Sequence, residues 1–278
     1  MKTLYIECNM GIAGDMLLSS LVDLYDDKKA VLEELNALSI PGVDYELGEK
    51  VSCGIHGTHI RVLVNGQEEE TFDGHSHSGH AHEDSHHHTH SHEDDSHGHH
   101  HTHSHGHHHA HAGMEEIKGI INALPVSDAV KDRALHVYQR IAEAESQVHG
   151  TEVSKIHFHE VGSKDAIADI VGCAYMMEKI GADRIVFSPI VTGYGTVRCA
   201  HGILPVPAPA TALLLKGIPS CAGHEEGELA TPTGVALAGC FAQEYGQRPL
   251  MKIGSIGYGM GNKEYASANC VRAFLGEN

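Results

Sequence analysis

The sequence predicts an α/β fold with mixed sheet layers and flanking helices, interrupted by a disordered His-rich insert. Two observations support this prediction. Short apolar runs of strand length alternate with longer stretches whose apolar residues recur at helical spacing. Residues 75–111 hold 19 of the 27 histidines and no Leu, Ile, Val or Met, so burial of this stretch could not offset its ordering entropy.

The chain before the insert predicts a strand, two helices and a β-hairpin. The strand is Leu4–Cys8, and a glycine-bearing turn leads from it into a helix with Asp15 at its positive end. A second helix begins at Asp27 and ends before a Pro-Gly pair. Alternating apolar residues in 43–47 and 60–64 predict the hairpin.

The chain after the insert begins with two helices, the first ending before Pro125 and the second running from Ser127 to Gly150. The stretch Ile156–Val161 predicts a short strand. Ser163 and Gly181 then frame a third helix with an apolar core face.

Strands and helices continue to alternate toward the C-terminus. The predicted strands are Ile185–Phe187, Val197–Ala200, Met251–Ile256 and Asn269–Phe274. The predicted helices are Ala210–Lys216 and one from the Thr231 cap to about Tyr245. We therefore expect an N-terminal βαββ-like segment (1–64), the insert (65–113), and a helical linker with an α/β domain (114–278). The segments 1–64 and 114–278 are able to pack together as one unit.

Charge and composition exclude several classes of protein. The formal net charge is −18, and no Lys or Arg occurs between Val62 and Glu116, so nucleic acid is not an expected partner. No run of 18 apolar residues exists, so no membrane association is expected. The seven cysteines are scattered without a C-x-x-C pair, which predicts reduced thiols and a cytoplasmic protein.

The tract His75–His111 predicts binding of divalent transition metals, among which Ni(II) and Cu(II) rank high for imidazole ligands. It supplies capacity rather than a defined geometry, so it is expected to be a low-specificity nickel store or feeder. The alternative is a solvated low-complexity insert without a metal role.

The segment after residue 156 carries the most specific candidate metal ligands. His157 and His159 would share one face of a strand, with Glu160 at its end and Asp165 and Asp169 one turn apart on the next helix. Two imidazoles beside carboxylates suit Ni, Zn or Fe(II). The alternative is a loop-capping histidine with solvated acids, although Asp169 lies within an otherwise apolar helix.

A second pair of candidate ligands, Cys199 and His201, repeats the same-face spacing of a strand. If the two strands are neighbours, this pair would face the first. The alternative is an inert buried cysteine, which is the commoner case.

Glycine-bearing segments could bind phosphate through free backbone N–H groups at helix starts. The candidate substrate- or phosphate-binding residues are Gly11, Gly14, Asp15, Glu228, Thr231, Thr233 and Gly234. None of these segments has the spacing of a P-loop or a dinucleotide fingerprint. Ordinary turns and helix caps are the alternative, and Glu228 could equally be a solvated loop residue.

Four motifs together resemble the LarC family of nickel-insertion proteins. They are Glu7–Met16, His157–Gly162 followed by Asp165–Gly172, Ala200–Thr211, and Gly227–Gly234. They occur in the family's order, with a His-rich insert in the expected place, and the resemblance covers nearly the whole chain.

The resemblance implies a nickel insertase of the lyase class, which inserts Ni(II) into pyridinium-3,5-bisthiocarboxylic acid mononucleotide at the expense of CTP with Mg(II) or Mn(II). The product is the nickel-pincer nucleotide of lactate racemase, whose apoenzyme is then an expected partner. For such an activity we expect His157, His159 and Glu160 to hold the ion transiently and Asp165, Asp169, Cys199 or His201 to complete or orient the site. Glu160 or Asp165 is the expected base. Family members usually continue beyond the position of Asn278 into a domain linked with CTP, so a C-terminal LarC-like polypeptide is an expected partner.

Two other functions fit the same residues. One is a nickel storage or metallochaperone protein without catalysis. The other is a metal-dependent hydrolase that uses His157, His159 and an acid around a catalytic ion.

Overall fold

The computed structural model describes residues 1–68, 113–156, 158, 161–199 and 201–278. The predicted disordered tract lies outside the described residues, as do His157, His159, Glu160 and Ala200.

Helices within the described residues are α1 (Gly14–Val22), α2 (Lys28–Asn36), α3 (Met114–Ala123), α4 (Asp128–His149), α5 (Lys164–Ile180), α6 (Pro209–Leu214) and α7 (Pro232–Phe241). A single 3₁₀ turn in this part of the chain spans Val153–Lys155. The strands here are β1 (Lys2–Glu7), β2 (Val43–Ser52), β3 (Ile55–Val64), β4 (Gln67–Glu68), β5 (Arg184–Phe187), β6 (Ile190–Val191), β7 (Thr196–Cys199), β8 (Gly202–Pro205), β9 (Ser220–Cys221), β10 (Glu244–Tyr245), β11 (Lys252–Met260) and β12 (Cys270–Glu277).

One mixed sheet joins strands from both sides of the tract, in the order β10-β5-β1-β12-β11-β3-β2, with β4 paired to β3. The strand pairs β1–β5 and β5–β10 are parallel, whereas β1–β12, β11–β12 and β2–β3 are antiparallel. The predicted α/β class with a mixed sheet and flanking helices is therefore confirmed.

The main hydrophobic core lies between this sheet and the helices, of which α1 packs against β3, β11 and α5. Leu4 and Ile6 of β1 contribute to it with no exposed surface. Tyr5, between them, joins a small cluster with Val186 and Phe274. This alternation along β1 follows the two-residue period of a strand.

Predicted caps define where the helices begin and end. The side chains of Asp27, Ser127, Ser163 and Thr231 each accept a hydrogen bond from a backbone N–H three residues later. Glycines in the left-handed conformation, with φ of 61° and 56°, follow α4 and α5.

The predicted strand over Ile156–Val161 is wrong. Ile156 and Phe158 have no regular secondary structure, and Val161 lies in a turn. All three side chains are buried. Residues on one face of a strand are an even number of positions apart, and the three-residue spacing from Phe158 to Val161 does not fit this pattern. Core contacts therefore hold this segment without sheet pairing among its described residues.

Helix α7 ends at Phe241, four residues before the predicted end. The next residues, Glu244 and Tyr245, instead pair in parallel with Val186 and Phe187 of β5. Residues 244 and 245 therefore pair with the edge of the sheet and do not extend the helix.

All seven cysteines lie among the described residues and are free thiols, as predicted. No helix in the described ranges is both long and apolar enough to pass through a lipid bilayer.

Candidate functional site

Three aspartates converge where α1 packs against α5. Asp169 of α5 is only 6% exposed, and it accepts a hydrogen bond from the backbone N–H of Asp15 at the start of α1. Asp165 lies one turn earlier on α5, and its charge acts on Asp169. We refer to Asp15, Asp165 and Asp169 as the carboxylate cluster.

Burial raises the pKa of Asp169 well above its ordinary value, and the charges of Asp165 and Asp15 raise it further. The hydrogen bond from the Asp15 N–H opposes this shift without cancelling it. The surroundings of Asp169 therefore favour its protonated form.

Asp15 is half-buried, and burial raises its pKa as well. Hydrogen bonds from backbone N–H groups at the start of α1 and electrostatic interactions with His59 and Lys50 act in the opposite direction. His59 itself is buried, and its Nδ1 lies 3.0 Å from the carbonyl oxygen of Met260.

Two buried polar atoms near the cluster lack a hydrogen-bond partner among the described residues. They are Oδ1 of Asp169 and the hydroxyl of Tyr138 on α4. The charges of Asp169 and Asp165 help to raise the pKa of that hydroxyl, although burial is the larger cause. An unsatisfied buried carboxylate oxygen is costly and indicates a missing binding partner.

Phe158 connects the histidine segment to this region. Its ring is 2% exposed and packs edge-on against Tyr138, with ring centroids 6.0 Å apart. The predicted ligands His157 and His159 lie outside the described residues. Phe158, between them in the sequence, packs beside Tyr138, whose hydroxyl pKa is raised in part by the charges of Asp169 and Asp165.

The two predicted phosphate-binding segments lie side by side. Ile12 donates its N–H to the carbonyl of Leu229, and Thr231 donates its N–H to the carbonyl of Ile12. The starts of α1 and α7 are thereby held together. Nothing in the spacing of these two segments indicates that they pair, so the sequence alone does not predict this contact.

Glycine is required where these segments meet. A methyl group on Gly234 would overlap the carbonyl of Ile12, and one on Gly11, which has φ of +79°, would overlap the backbone of Leu229. Both glycines therefore serve close backbone packing, whatever else they contact.

The contact between the starts of α1 and α7 is flanked by Glu228, Thr231 and Thr233. The Thr231 hydroxyl accepts a hydrogen bond of 3.2 Å from the Gly234 N–H, which makes it the cap of α7. Thr233 is buried, and Glu228 is half-buried with its carbonyl accepting a hydrogen bond from the hydroxyl of Tyr265.

Cys199 and His201 do not share a strand face. β7 ends at Cys199, which pairs with Gly202 at the start of β8, so His201 lies in the hairpin turn. The same-face prediction for this pair is wrong because the chain reverses direction between the two residues. Cys199 is half-buried and His201 is exposed.

The hairpin turn instead brings His201 to His149, the last residue of α4, with ring centroids 4.9 Å apart. Nε2 of His149 lies 3.2 Å from Oε2 of Glu145, one turn earlier. Glu145 and His149 were not among the predicted site residues, although their i, i+4 spacing just before the cap Gly150 indicates a side-chain pair on one helix face.

Across the described part of the chain, no group of three or more His, Cys, Asp or Glu side chains has the arrangement of a metal site. The described residues supply the carboxylate cluster and the His149–His201 pair as separate groups.

Comparison with known proteins identifies a family. The family model described as "Nickel insertion protein" matches residues 4–278. A protein of Clostridium acetobutylicum named "Pyridinium-3,5-bisthiocarboxylic acid mononucleotide nickel insertion protein" is 43% identical over 287 residues, which cover 100% of this chain and 64% of that relative. A protein of the same name from Clostridium kluyveri is 38% identical, with 100% and 62% covered.

A "Putative nickel insertion protein" of Dictyoglomus thermophilum is 33% identical, with 100% of this chain and 61% of the relative covered. The chain thus spans about three fifths of the length of these curated relatives. No solved structure matches it. On the extent of the family match, this chain belongs to the nickel insertion protein family.

Proposed function

We propose that this chain takes part in inserting Ni(II) into pyridinium-3,5-bisthiocarboxylic acid mononucleotide, as a nickel insertase of the lyase class. The names of the relatives support this substrate. The single observation that supports it most strongly is Asp169, a carboxylate 6% exposed whose Oδ1 lacks a partner among the described residues. A divalent cation beside this oxygen would replace the proton that the cluster favours.

The proposed metal ligands of the insertion site are His157, His159 and Asp169. The hairpin turn between Cys199 and His201 gives these two residues no shared strand face, so they are not included. Phe158, the residue between the two histidines in the sequence, supports this grouping because it packs on Tyr138, whose hydroxyl pKa is raised in part by the charge of Asp169. Imidazole and carboxylate groups bind Ni(II), but they are harder ligands than sulfur. The thiocarboxylate sulfurs of the substrate could therefore displace them one at a time.

A base is needed because a pyridinium ring carbon must lose its proton as the nickel–carbon bond forms. The electron pair of that C–H bond goes to the nickel, and the proton goes to a carboxylate, for which we propose Glu160 or Asp165. Asp165 lies on the first turn of α5, one turn before the proposed ligand Asp169. A carboxylate within reach of the ring proton is an ordinary general base for such a step.

We propose that the substrate phosphate binds at the junction of the α1 and α7 starts. The proposed contacts are Gly11, Gly14, Asp15, Glu228, Thr231, Thr233 and Gly234. The backbone hydrogen bonds that join Ile12 to Leu229 and Thr231 support this proposal, because they bring two helix N-termini together. Two positive dipole ends favour an anion more than one does.

We propose that CTP, with Mg(II) or Mn(II), binds the part of the relatives' length that this chain does not cover, supplied as a C-terminal LarC-like polypeptide. The lactate racemase apoenzyme is the proposed recipient of the product. Free thiols at all seven cysteines support a reducing, cytoplasmic setting.

The tract His75–His111 is proposed to store Ni(II) and to raise its concentration near the folded site. In this proposal the tract binds many nickel ions, and the folded part of the chain carries out the insertion reaction. The proposed domain division, 1–64, 65–113 and 114–278, separates these roles in sequence.

The test uses the chain with Ni(II), CTP and the mononucleotide under anaerobic conditions, with and without a C-terminal partner. Mass spectrometry detects the metallated nucleotide. Asp169→Asn is expected to abolish its formation while bulk nickel capacity is retained. The double variant His157→Ala, His159→Ala is expected to behave in the same way.

Deletion of residues 75–111 should give the reverse pattern, with most bound nickel lost and product formation retained when nickel is plentiful. A storage protein would lose its function with the tract, and no variant of the folded part would then matter. Turnover of an ester or phosphodiester without nickel transfer would identify a hydrolase instead. Normal product formation by both folded-part variants would contradict the proposed site.

A further inference from the structure

We propose that Arg140 and Lys216 bind a phosphate group in the cavity between α4 and the end of α6. The ligand class is phosphate or a small phosphate monoester. None of the residues that line this cavity belongs to the carboxylate cluster or to the junction of the α1 and α7 starts. The inference therefore stands apart from the proposed nickel function.

The cavity has a volume of about 240 Å³ and is open to solvent on one side. Arg140, Glu143 and Gln147 line it from α4, and Lys216 lines it just after the end of α6. The rest of the lining is apolar. Pockets for drug-sized ligands have volumes of ~300–1,000 Å³, so this cavity suits a small ligand or one group of a larger one.

Arg140 has an N–H donor without an acceptor. Its Nε is buried and has no hydrogen-bond partner among the described residues. Neither Arg140 nor Lys216 takes part in an ion pair in the part of the chain that the structure describes. A buried donor of a charged group that lacks an acceptor is costly. A small shift of the guanidinium toward an oxyanion in the cavity would supply that acceptor.

Helix α7 holds the guanidinium of Arg140 in place. A methyl group on Gly239 of α7 would lie 2.7 Å from Nη2 and 2.9 Å from Cζ of Arg140. Glycine at this position therefore gives the guanidinium room to lie against the helix. Because the side chain is ordered before a ligand binds, less conformational entropy is lost on binding.

Positive charge predominates on this side of α4. Burial raises the pKa of the neighbouring Cys240 thiol to about 11, and the charges of Arg140 and Arg133 oppose that rise. No acidic side chain of the described residues adds to it. Arg133 also lies over the ring of Phe241, 5.5 Å from its centroid. Two arginines thus concentrate positive charge where α4 packs against α7.

Glu143 is the acidic side chain in the cavity lining, and its Oε1 accepts a hydrogen bond of 2.8 Å from Nε2 of Gln139. The lining therefore carries two positive charges, from Arg140 and Lys216, against one negative charge. This balance favours an anion, although the chain as a whole has a net charge of −18.

An arginine and a lysine together suit phosphate better than a single carboxylate. A guanidinium can donate two parallel hydrogen bonds to phosphate oxygens, and an ammonium group adds a point charge. A dianionic phosphate attracts both cations at once, whereas a carboxylate carries one charge.

The competing explanation is that Arg140 only packs α4 against α7 and that the cavity holds water. Lys216→Gln separates the two, because Lys216 is exposed and its loss should leave the fold intact. Arg140→Lys keeps the charge but loses the forked geometry of the guanidinium. Lys131→Gln is the matched control, since Lys131 lies on α4 and does not line the cavity.

Hydrogen-exchange mass spectrometry on the full chain reads the cavity locally, with inorganic phosphate as the probe and chloride at equal ionic strength as the reference. At pH 8 imidazoles are neutral, so the histidine tract should not attract the anion. Phosphate is expected to slow exchange saturably in peptides covering residues 138–148 and 211–218.

The variants should weaken this protection to different degrees. Lys216→Gln should raise the phosphate concentration for half-maximal protection by about two- to five-fold. Arg140→Lys should raise it by about ten-fold. Lys131→Gln should match the wild type. Tighter binding of methyl phosphate than of phosphate would identify a monoester as the ligand, and the reverse order would identify free phosphate.

Three results would overturn the proposal. They are phosphate-independent exchange in both peptides, equal protection by acetate, and unchanged half-maximal concentrations in both Lys216→Gln and Arg140→Lys. The second and third would indicate an adventitious ion only. None of these results bears on nickel insertion, which the assay of the metallated nucleotide measures separately.

Discussion

The side chain of Asp169 lies directly against Gly14, with so little space that a methyl group on Gly14 would be 2.8 Å from Cβ of Asp169 and 2.9 Å from its Cγ. Only glycine at the start of α1 lets the buried carboxylate take this position. The same contact brings the N–H of Asp15 to the carboxylate. Residues 155 positions apart in the sequence thus build one site.

Gly14→Ala is expected to lower the free energy of unfolding by about 1–3 kcal/mol, because overpacking must displace Asp169 or α1. Nickel insertion should fall with it. Urea unfolding and the insertion assay measure the two effects. Gly119→Ala is the control, since Gly119 lies within α3 with open space around it and alanine there should stabilise by about 0.5–1 kcal/mol. Equal effects of the two substitutions would contradict the packing argument.

Asp169→Asn is expected to change how the stability of the metal-free chain depends on pH. The folded-state pKa of Asp169 lies above its unfolded value, so the folded state binds the proton more tightly. The wild type should therefore lose stability as the pH rises from about 4 toward the folded-state pKa. Asparagine cannot ionise and should lose less.

The difference in unfolding free energy between Asp169→Asn and the wild type should be small near pH 4 and should grow as the pH rises to 8. Urea unfolding in the presence of a chelator at pH 4, 6 and 8 measures it. Parallel stability curves for the two proteins would show that Asp169 titrates normally in the folded chain.

Tyr138→Phe is expected to leave stability unchanged or raise it by up to about 1 kcal/mol, because its buried hydroxyl lacks a partner among the described residues. The ring contact with Phe158 is retained. Tyr45→Phe should cost about 1 kcal/mol, since its hydroxyl donates a 2.7 Å hydrogen bond to the carbonyl of Ala168. A large loss from Tyr138→Phe in thermal unfolding would mean that the hydroxyl is bound after all.

Thr231→Ala is expected to cost about 1 kcal/mol through loss of the α7 cap and to raise the KM for the mononucleotide. Ser127→Ala removes the cap of α4, which accepts a 3.1 Å hydrogen bond from Val130, at a similar cost in stability. Its KM should stay at the wild-type value. If both variants leave KM unchanged, Thr231 is a helix cap without a phosphate role.

Sequence patterns predicted the helices well because their signals are local. The caps Ser127 and Ser163, and the glycines Gly150 and Gly181, mark the ends of α4 and α5 as predicted. The interruption of an apolar helix by Asp169 also identified a residue that the fold buries. These features depend on residues within a few positions of one another.

Pairings between distant segments were not predictable in the same way. Sheet pairing with β5 ends α7 early, and the turn after Cys199 separates His201 from the strand face assigned to it. The residues around a segment do not show which distant strand it will pair with. Periodicity and spacing alone therefore could not predict the end of α7 or the position of His201.

The sequence by itself determined the α/β class, the caps and glycines at which α4 and α5 begin and end, the histidine-rich composition of the tract and the family resemblance, because each depends on local pattern or composition. The tertiary structure decided which groups meet. It placed Asp15 beside Asp169, joined the starts of α1 and α7, and brought His149 to His201. Such contacts depend on how helices and strands pack in three dimensions, and this packing is a property of the whole core rather than of any one segment.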